Sequence, residues 1–198
     1  LDLSDPKSPD ILYKKIQELH LQVSTLINNA GYGIHGTFSE VPVEQQLNML
    51  QLNIITLTHL TRLFLDDMKK NNKGNILNVA STAAFLPGPL MSTYYASKAY
   101  VLLFTEALAE ELKNTNINVS VLCPGPTGTR FQDKADMDGV VTFKFPMSSE
   151  KVVKYTYKKF KKRKHIIIPG FLNKLIAFLV RFFPRRLITI VSGKVLKK

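Results

Sequence analysis

The sequence NILNVASTAAFLPGPLMSTYYASK, residues 75–98, decides the fold. Its first six residues form a short, mostly apolar run with the composition of a buried β-strand. Pro87-Gly88-Pro89 then marks a loop, and a helical pattern follows to about residue 113. Strand, loop and helix in this order are one half of a βαβ unit, so the stretch predicts a parallel sheet covered by helices.

The same alternation continues on both sides of this stretch. Further strands are predicted over 23–29, 116–123 and 166–168, and further helices over 8–21, 43–70 and 149–160. Ser8 is predicted to cap the first helix, and residues 126–147 are predicted to form a loop. Three or four strands separated by helices predict an α/β fold with a doubly wound parallel sheet. We expect one catalytic domain over 1–170 and a basic amphipathic tail over 171–198, split into two helical pieces at Pro184.

Composition excludes several classes of protein. With 45% hydrophobic and 21% charged residues, the chain can bury enough apolar surface to fold. A single cysteine, Cys123, excludes an internal disulfide framework and a multi-cysteine zinc site. The four histidines lack metal-ligand spacing, so we expect no metal. The composition suits a reducing compartment, and we expect a cytoplasmic protein.

Tyr94 and Lys98 are four residues apart near the start of a predicted helix. Residues at this spacing share a helix face, so the phenol and the ammonium group can flank one point. A nearby cation lowers the pKa of a tyrosine, which would let Tyr94 exchange a proton with a carbonyl or alcohol oxygen. The pattern also occurs by chance, and the alternative is a solvated lysine beside a core tyrosine.

Polar residues follow the predicted strands, where parallel sheets place their chemistry. Ser81 directly follows one strand, thirteen residues before Tyr94, and its hydroxyl could bond an oxygen that gains charge in the transition state. Asn53 falls within a predicted helix, where asparagine is mildly unfavourable. The neighbouring strands end in Asn28-Asn29-Ala30-Gly31 and in Pro124-Gly125-Pro126-Thr127-Gly128-Thr129.

In these motifs the sequence resembles the short-chain dehydrogenase/reductase family. The pieces that carry the resemblance are Asp2-Leu3-Ser4-Asp5, Asn28-Asn29-Ala30-Gly31, Asn53, Ser81, Tyr94-x-x-x-Lys98 and Pro124-Gly125-x-x-x-Thr129, in the family's order. The resemblance implies a NAD(P)-binding Rossmann fold and an oxidoreductase that interconverts a ketone and a secondary alcohol. Residues 117–140 are similar to a bacterial branch described as DltE-like or hydroxysteroid-dehydrogenase-like.

The resemblance also implies roles for individual residues. Tyr94 would be the acid–base residue, Lys98 would lower its pKa and hold the nicotinamide ribose, and Ser81 would orient the substrate carbonyl. Asn53 would bind a water in a proton relay through Lys98. The other implied cofactor contacts are Asp2 and Leu3 at the adenine, Asn29 with Ala30 and Gly31 at the adenosine-side ribose, and Pro124, Gly125, Thr127 and Thr129 at the nicotinamide carboxamide.

The family's glycine-rich pyrophosphate loop is not found, because the G-x-G-x-x-G spacing at residues 31–36 follows the Asn28-Asn29-Ala30-Gly31 motif and does not precede the Asp2 motif. In the family this loop and the first two strands precede the Asp2 motif. We therefore expect the chain to be part of a longer enzyme, since every later catalytic position is present. The cofactor is expected to be NADP or NAD, with NADP slightly favoured. The alternative is a catalytically silent fragment or a membrane-surface binding protein.

Charge is distributed unevenly along the chain. Residues 1–150 carry 12 Lys/Arg and 15 Asp/Glu, whereas residues 151–198 carry 15 Lys/Arg and no acidic residue. The dense basic run at 158–164 has three interpretations, which are a solvated helix end, a nucleic-acid site and a membrane-surface site. No recognition module accompanies the run, so we expect no nucleic acid.

The tail interleaves aromatic and aliphatic residues with basic ones, which is typical of a helix lying in a bilayer interface. We therefore expect contact with an anionic membrane surface through residues 158–198, with the protein peripheral to the membrane. The equal alternative is that the tail packs over the substrate cleft or on a second subunit. Either arrangement suits a small, apolar substrate, such as an acyl or sterol-like ketone, and we expect a homo-oligomer.

Overall fold

The computed structural model describes residues 1–135, 137 and 146–197, with only the backbone of 133 and 134. The described helices are α1 (Ser8–Glu18), α2 (Val43–Leu50), α3 (Leu57–Lys70), α4 (Ser92–Glu111), α5 (Phe131–Lys134), α6 (Ser149–Phe160), α7 (Phe171–Leu179) and α8 (Arg185–Val195). The described strands are β1 (Thr25–Asn28), β2 (Gly74–Val79), β3 (Ile117–Leu122), β4 (Thr127–Gly128), β5 (Met147–Ser148) and β6 (Ile166–Ile167). A π-helical segment, Gln51–Thr56, joins α2 to α3, and short 3₁₀ turns cover Thr82–Phe85 and Val180–Phe182.

Four strands form one parallel sheet in the order β1-β2-β3-β6. Leu77 of β2 lies opposite Ile27 on one side and Ser120 on the other. All six residues of β3 are buried, as a central parallel strand covered on both faces requires. The predicted α/β parallel sheet is confirmed, and a second, two-stranded pair joins β4 to β5.

Apolar residues on the two faces of the sheet pack under different helices. Ile76 and Val119 belong to a cluster with residues of α3 and α4, whereas Leu77 and Leu122 pack with Val152 of α6. Adjacent residues of a strand point to opposite faces. Helices therefore cover both sides of the sheet, as in a doubly wound fold.

A chain of buried polar side chains links the sheet to its covering helices. The Asn28 Nδ2 donates to the Asn78 Oδ1 at 2.8 Å and to the Thr61 Oγ1 at 2.9 Å. The Asn78 Nδ2 in turn donates to the Thr105 Oγ1 of α4 at 3.0 Å. Because buried polar groups are costly when unpaired, this chain fixes β1, β2, α3 and α4 in one relative position.

The structure corrects three local predictions. Ser8 does not cap α1, since the cap position falls on Lys7 and the buried Ser8 hydroxyl donates to the Asp2 carbonyl. The helix predicted over 43–70 contains the π-helical segment Gln51–Thr56 in its middle. The loop predicted over 126–147 contains β4, α5 and the start of β5, although residues 136 and 138–145 lie outside the described part.

Candidate active site

The loops that follow β1, β2 and β3 meet at one edge of the sheet, because the carboxyl ends of parallel strands share that edge. The backbone N–H of Thr82 donates to the Pro124 carbonyl at 2.9 Å. Gly31, which follows β1, lies so close to the next elements that an added Cβ would be 2.8 Å from the Asn53 Oδ1 and 3.3 Å from the Lys98 Nζ. The structure therefore brings together Gly31, Asn53, Lys98 and the loops that begin at Ser81 and Pro124.

Tyr94 is enclosed by apolar and aromatic side chains. Its ring lies 5.4 Å from the Phe131 ring and 6.0 Å from the Tyr95 ring, measured between centroids. An added Cβ on Gly33 would be 3.1 Å from the Tyr94 ring, so the backbone packs closely against this ring. Tyr94 is 7% exposed, and its environment is therefore poor in water.

Burial sets the protonation state of Tyr94. Desolvation raises the pKa of Tyr94 well above its ordinary value, and an interaction with the Ser81 side chain lowers it by less. Burial therefore decides the direction of the net pKa shift, and the lowering by Lys98 that the resemblance implies stays a prediction. The phenol carries its proton at neutral pH, which is the state that a proton donor to a carbonyl oxygen needs.

Lys98 is buried beside Tyr94 on the same helix face. Its Nζ lies 5.9 Å from the centroid of the Tyr94 ring and donates to the Val79 carbonyl at 2.9 Å. Burial lowers the pKa of Lys98 to about 8. The amine is therefore mostly protonated at neutral pH and places a positive charge near the phenol. The alternative of a solvated lysine is excluded by its burial.

Ser81 stands at the end of β2 and caps the 3₁₀ turn that follows. Its Oγ accepts from the Ala83 backbone N–H at 3.1 Å. This cap fixes the Ser81 hydroxyl within reach of Tyr94, whose pKa it lowers through a hydrogen bond. Ser81 and Tyr94, thirteen residues apart in the sequence, thus lie together as predicted, although the role of each stays a prediction.

Asn53 lies in the π-helical segment, a feature found mostly at functional sites. Its Nδ2 donates to the Tyr32 carbonyl at 2.9 Å and to the Ser97 Oγ at 3.1 Å. The Ser97 hydroxyl donates to the Tyr94 carbonyl at 2.7 Å. Both amide protons of Asn53 are therefore used to tie the loop after β1 to the helix that carries Tyr94 and Lys98. The sequence analysis did not identify Tyr32 or Ser97 as part of the site. The one available signal was that Ser97 lies within Tyr94-x-x-x-Lys98.

The predicted adenine contacts lie at the same edge of the sheet. The Leu3 carbonyl accepts from the Thr56 hydroxyl at 2.8 Å, which ties this segment to the π helix. The exposed Asp2 accepts from the Ser4 backbone N–H at 2.9 Å, and that bond lowers the pKa of Asp2. Asn29 is exposed directly after β1. Its side chain is therefore open to a ligand.

The segment after β3 is folded by its own side chains. The Thr127 hydroxyl donates to the Gly125 carbonyl at 2.9 Å, and the Thr129 Oγ1 accepts from the Phe131 N–H at 3.2 Å. The side chain of Asn173 in α7 packs against Gly125, where an added Cβ would lie 2.5 Å from it. Lys98 lies beside Gly31, and this turn begins at Pro124 next to the loop of Ser81. This arrangement fits the nicotinamide half of a dinucleotide.

The end of the tail packs against the site, which supports the predicted alternative of packing over the cleft. Leu196 is buried in one cluster with Met91 and Tyr94. The His35 Nε2 donates to the Leu196 carbonyl at 2.8 Å, and Ser192 hydrogen-bonds the Tyr95 hydroxyl. No sequence signal had pointed to His35 or Leu196.

Two other features, a metal site and a membrane-spanning helix, are not found among the described residues. No group of three or more His, Cys, Asp or Glu side chains among them is arranged to hold a metal ion. Within the same part of the chain, no helix is both long and apolar enough to cross a membrane.

Comparison with known proteins gives consistent matches. The short chain dehydrogenase family profile matches residues 1–139. The ketoacyl reductase HetN of Nostoc sp. is 35% identical over 124 residues, which are 63% of this chain and 43% of that protein. Human 17-beta-hydroxysteroid dehydrogenase type 3 is 37% identical over 125 residues, or 61% of this chain and 40% of that protein. The chain thus spans less than half the length of these relatives.

Solved structures match over most of the chain. A short-chain dehydrogenase from Sphingobium yanoikuyae in complex with NADPH superposes with a TM-score of 0.78 at 27% identity, over 93% of this chain and 74% of that one. A 7beta-hydroxysteroid dehydrogenase superposes with a TM-score of 0.84 at 21% identity, over 96% of this chain and 74% of that one. The second likeness shows the fold alone.

Proposed function

The chain belongs to the short-chain dehydrogenase family, and we propose that the protein is an NAD(P)-dependent oxidoreductase that interconverts a ketone and a secondary alcohol. The observation that carries the proposal is the arrangement of Tyr94, Lys98 and Ser81. Their side chains meet at the carboxyl edge of the sheet in a site poor in water. A buried ammonium group costs stability, and ionisable groups with strongly shifted pKa values cluster at functional sites.

In this proposal Tyr94 donates the proton that a ketone oxygen takes up during reduction. Its raised pKa keeps the proton on the Oη until substrate binds. The Ser81 hydroxyl orients the carbonyl oxygen, and the Lys98 ammonium stabilises the phenolate that remains when the proton leaves. A bound nicotinamide supplies or accepts the hydride. Asn53 positions Tyr94 through Ser97 and stays the proposed site of a relay water.

The cofactor is proposed to be NADP or NAD, with NADP slightly favoured. Lys98 would hold the nicotinamide ribose, and Thr127 and Thr129 would hold the carboxamide. Asp2, Leu3, Asn29 and the neighbouring backbone would hold the adenosine half. The Sphingobium yanoikuyae enzyme is complexed with NADPH and another matched short-chain dehydrogenase with NAD, which supports a nicotinamide cofactor of either kind.

The substrate is proposed to be apolar. The side chains packed around Tyr94 are Met49, Ala83, Met91, Ala135, Met137 and Leu196. Beside this cluster lies an open pocket of about 410 Å³, lined in part by Tyr32, Ile34 and His35. The two relatives named above are a ketoacyl reductase and a hydroxysteroid dehydrogenase. An acyl or sterol-like ketone would fit such a lining.

The first test is a fluorescence titration of the full-length protein with NADPH and NADH, followed by a screen of 3-oxoacyl and steroid ketones for NADPH oxidation. We expect saturable binding and turnover of at least one apolar ketone. Binding without turnover of any ketone, or no binding of either nucleotide, would favour the second candidate, a catalytically silent relative.

Self-association is a further part of the proposal. Ile55 and Leu103 are exposed, and the Thr58 and Tyr100 hydroxyls lie 3.0 Å apart beside them, where α3 meets α4. A second copy would cover these apolar side chains. Light scattering after gel filtration should show a homo-oligomer, and the Leu103→Glu variant should elute as a smaller species. A wild-type monomer would contradict this proposal.

A further inference from the structure

The helices of the tail turn most of their apolar side chains to solvent. Ala177 is the buried residue of α7, and Ser192 that of α8. The exposed apolar side chains of residues 171–195 are Phe171, Leu172, Leu175, Ile176, Phe178, Leu179, Phe182, Phe183, Leu187, Ile190, Val191 and Val195. An apolar surface of this extent on a folded protein marks a binding surface.

The charge of the tail identifies its partner. Residues 171–198 contain seven Lys/Arg and no Asp/Glu. Among the described residues, the ion pair farthest along the chain is that of Lys154 with Glu150, so the basic side chains of the described tail have no acidic partner. A surface that combines exposed aromatic residues with unpaired cations matches the headgroup region of an anionic bilayer.

The inner faces of the same helices rest on the candidate active site. Asn173 of α7 lies against Gly125, and Gly193 of α8 lies 3.2 Å from the Pro89 ring, measured from an added Cβ. Leu196, directly after α8, is buried beside Tyr94. The tail is thus a thin layer between the site and its own apolar outer surface.

We propose that the outer face of α7 and α8 docks on an anionic lipid bilayer and that the substrate enters the site from the lipid. This inference rests on the proposed oxidoreductase function for the identity of the substrate as a ketone. Docking would hold the site within one helix thickness of the membrane. A ketone dissolved in the bilayer would then reach Tyr94 without crossing water.

A second copy of the chain fits this surface less well. Two tails face to face would bring their unpaired basic side chains together, and like charges in contact oppose association. A nucleic acid would meet the cations but would leave the many aliphatic side chains without a partner. The bilayer satisfies both the charge and the apolar surface.

Co-sedimentation of the full-length protein with vesicles tests the docking directly. One set of vesicles contains phosphatidylcholine alone, and the other contains about a third phosphatidylserine. We expect at least a tenfold higher affinity for the anionic set. The double variant Leu172→Ser/Phe182→Ser should bind the anionic vesicles roughly tenfold more weakly than the wild type, because two apolar side chains no longer enter the bilayer interface. Equal affinity for both sets, or no sedimentation with either, would overturn the docking.

Matched variants separate a specific surface from general stickiness. Leu172 and Phe182 are 66% and 68% exposed. In the rest of the protein, residues 1–170, which we call the body, Leu21 and Phe38 are 55% and 71% exposed. The control Leu21→Ser/Phe38→Ser should sediment like the wild type. Likewise, Arg185→Gln/Arg186→Gln should weaken binding by roughly tenfold or more, and Lys69→Gln/Lys70→Gln should not. If the control pairs weaken binding as much as the tail pairs, the assigned surface is wrong.

Turnover distinguishes the docking from the chemistry. NADPH oxidation is measured with one water-soluble ketone and with one ketone dissolved in anionic vesicles. The variant Leu172→Ser/Phe182→Ser should keep its rate on the soluble ketone and lose at least tenfold on the vesicle-dissolved one. Equal rates on the latter for variant and wild type would overturn the route of entry. Vesicle binding without turnover of any ketone would instead contradict the proposed function and leave the docking intact.

Discussion

The helix α4 of the body and the helix α7 of the tail are both rich in apolar residues, yet they use them in opposite ways. α4 places Val101, Leu102 and Leu108 in the core. α7 buries Ala177 and leaves Phe171, Leu172 and Phe178 in solvent. Apolar composition alone therefore does not tell where a helix lies. The side chains of α4 stabilise the fold, whereas most of those of α7 contribute little to it and are free for another contact.

The largest expected effect is on the chemistry of the body. Tyr94→Phe removes the hydroxyl group, which is the only group of that side chain that can exchange a proton with the substrate. We expect turnover to fall about 10²- to 10⁴-fold. The affinity for NADPH should stay nearly unchanged. Steady-state kinetics and fluorescence titration measure the two quantities. Tyr95→Phe is the matched control and should keep most of its activity, so equal losses in both variants would contradict the role assigned to Tyr94.

Two phenylalanines, one in the body and one in the tail, differ sharply in burial. Phe64 is buried in the main core cluster, and Phe182 is exposed in the tail. Phe64→Ala should lower the free energy of unfolding by about 3–5 kcal/mol, and Phe182→Ala by less than about 0.5 kcal/mol. Urea denaturation measures both. A large loss in the Phe182 variant would show that the tail helps to hold the fold together.

Lys98 gives the body of the protein a stability that depends on pH. Its pKa is lowered by burial to about 8 from 10.5. Between these values the unfolded chain binds more protons than the folded one, so stability rises with pH there. Below pH 8 the buried ammonium costs about 3 kcal/mol.

The Lys98→Met variant tests this dependence. The wild type should gain up to about 3 kcal/mol in the free energy of unfolding between pH 8 and pH 10.5, relative to the variant. Urea denaturation across this range measures the difference. Lys70→Met, which changes an exposed lysine, should follow the wild type. Parallel pH profiles for wild type and Lys98→Met would show that the pKa of Lys98 is not lowered.

The smallest expected effect concerns the polar chain under the sheet. Asn78→Ala removes one hydrogen-bond partner each from the amide of Asn28 and the hydroxyl of Thr105. We expect a loss of about 1–3 kcal/mol in the free energy of unfolding. Asn75 in the same strand is partly exposed and donates to the Ser24 carbonyl. Asn75→Ala should therefore lower the free energy of unfolding by less. Equal losses in chemical denaturation would contradict the special place of the buried chain.

Much of the body was predictable from the sequence because its signals are local. The strand before Ser81 and the helix with Tyr94 and Lys98 follow from short apolar runs and from the i, i+4 spacing. The convergence of the loops follows from parallel topology. The family assignment is confirmed, while the bacterial branch and the division of the chain at residue 170 stay predictions.

The features that were missed depend on long-range packing. The π-helical segment around Asn53 keeps an apolar pattern that an α-helix would also show, so periodicity does not reveal it. The net rise in the pKa of Tyr94 was not foreseen, because the sequence shows the nearby Lys98 but not the depth of burial. The contact of Leu196 with His35 joins residues 161 positions apart in the chain. No local signal marks such a contact.

The single cysteine gives the protein a built-in reporter. Cys123 directly follows β3, is fully buried, and donates its backbone N–H to the Ile167 carbonyl at 2.8 Å. Burial raises the pKa of its thiol to about 12. Because thiol reagents attack the thiolate, the native protein should resist labelling at neutral pH until the sheet opens between β3 and β6. The rate at which a thiol reagent labels Cys123 then measures how often the sheet opens at the end of β3, next to the active-site loops, and no residue has to be changed.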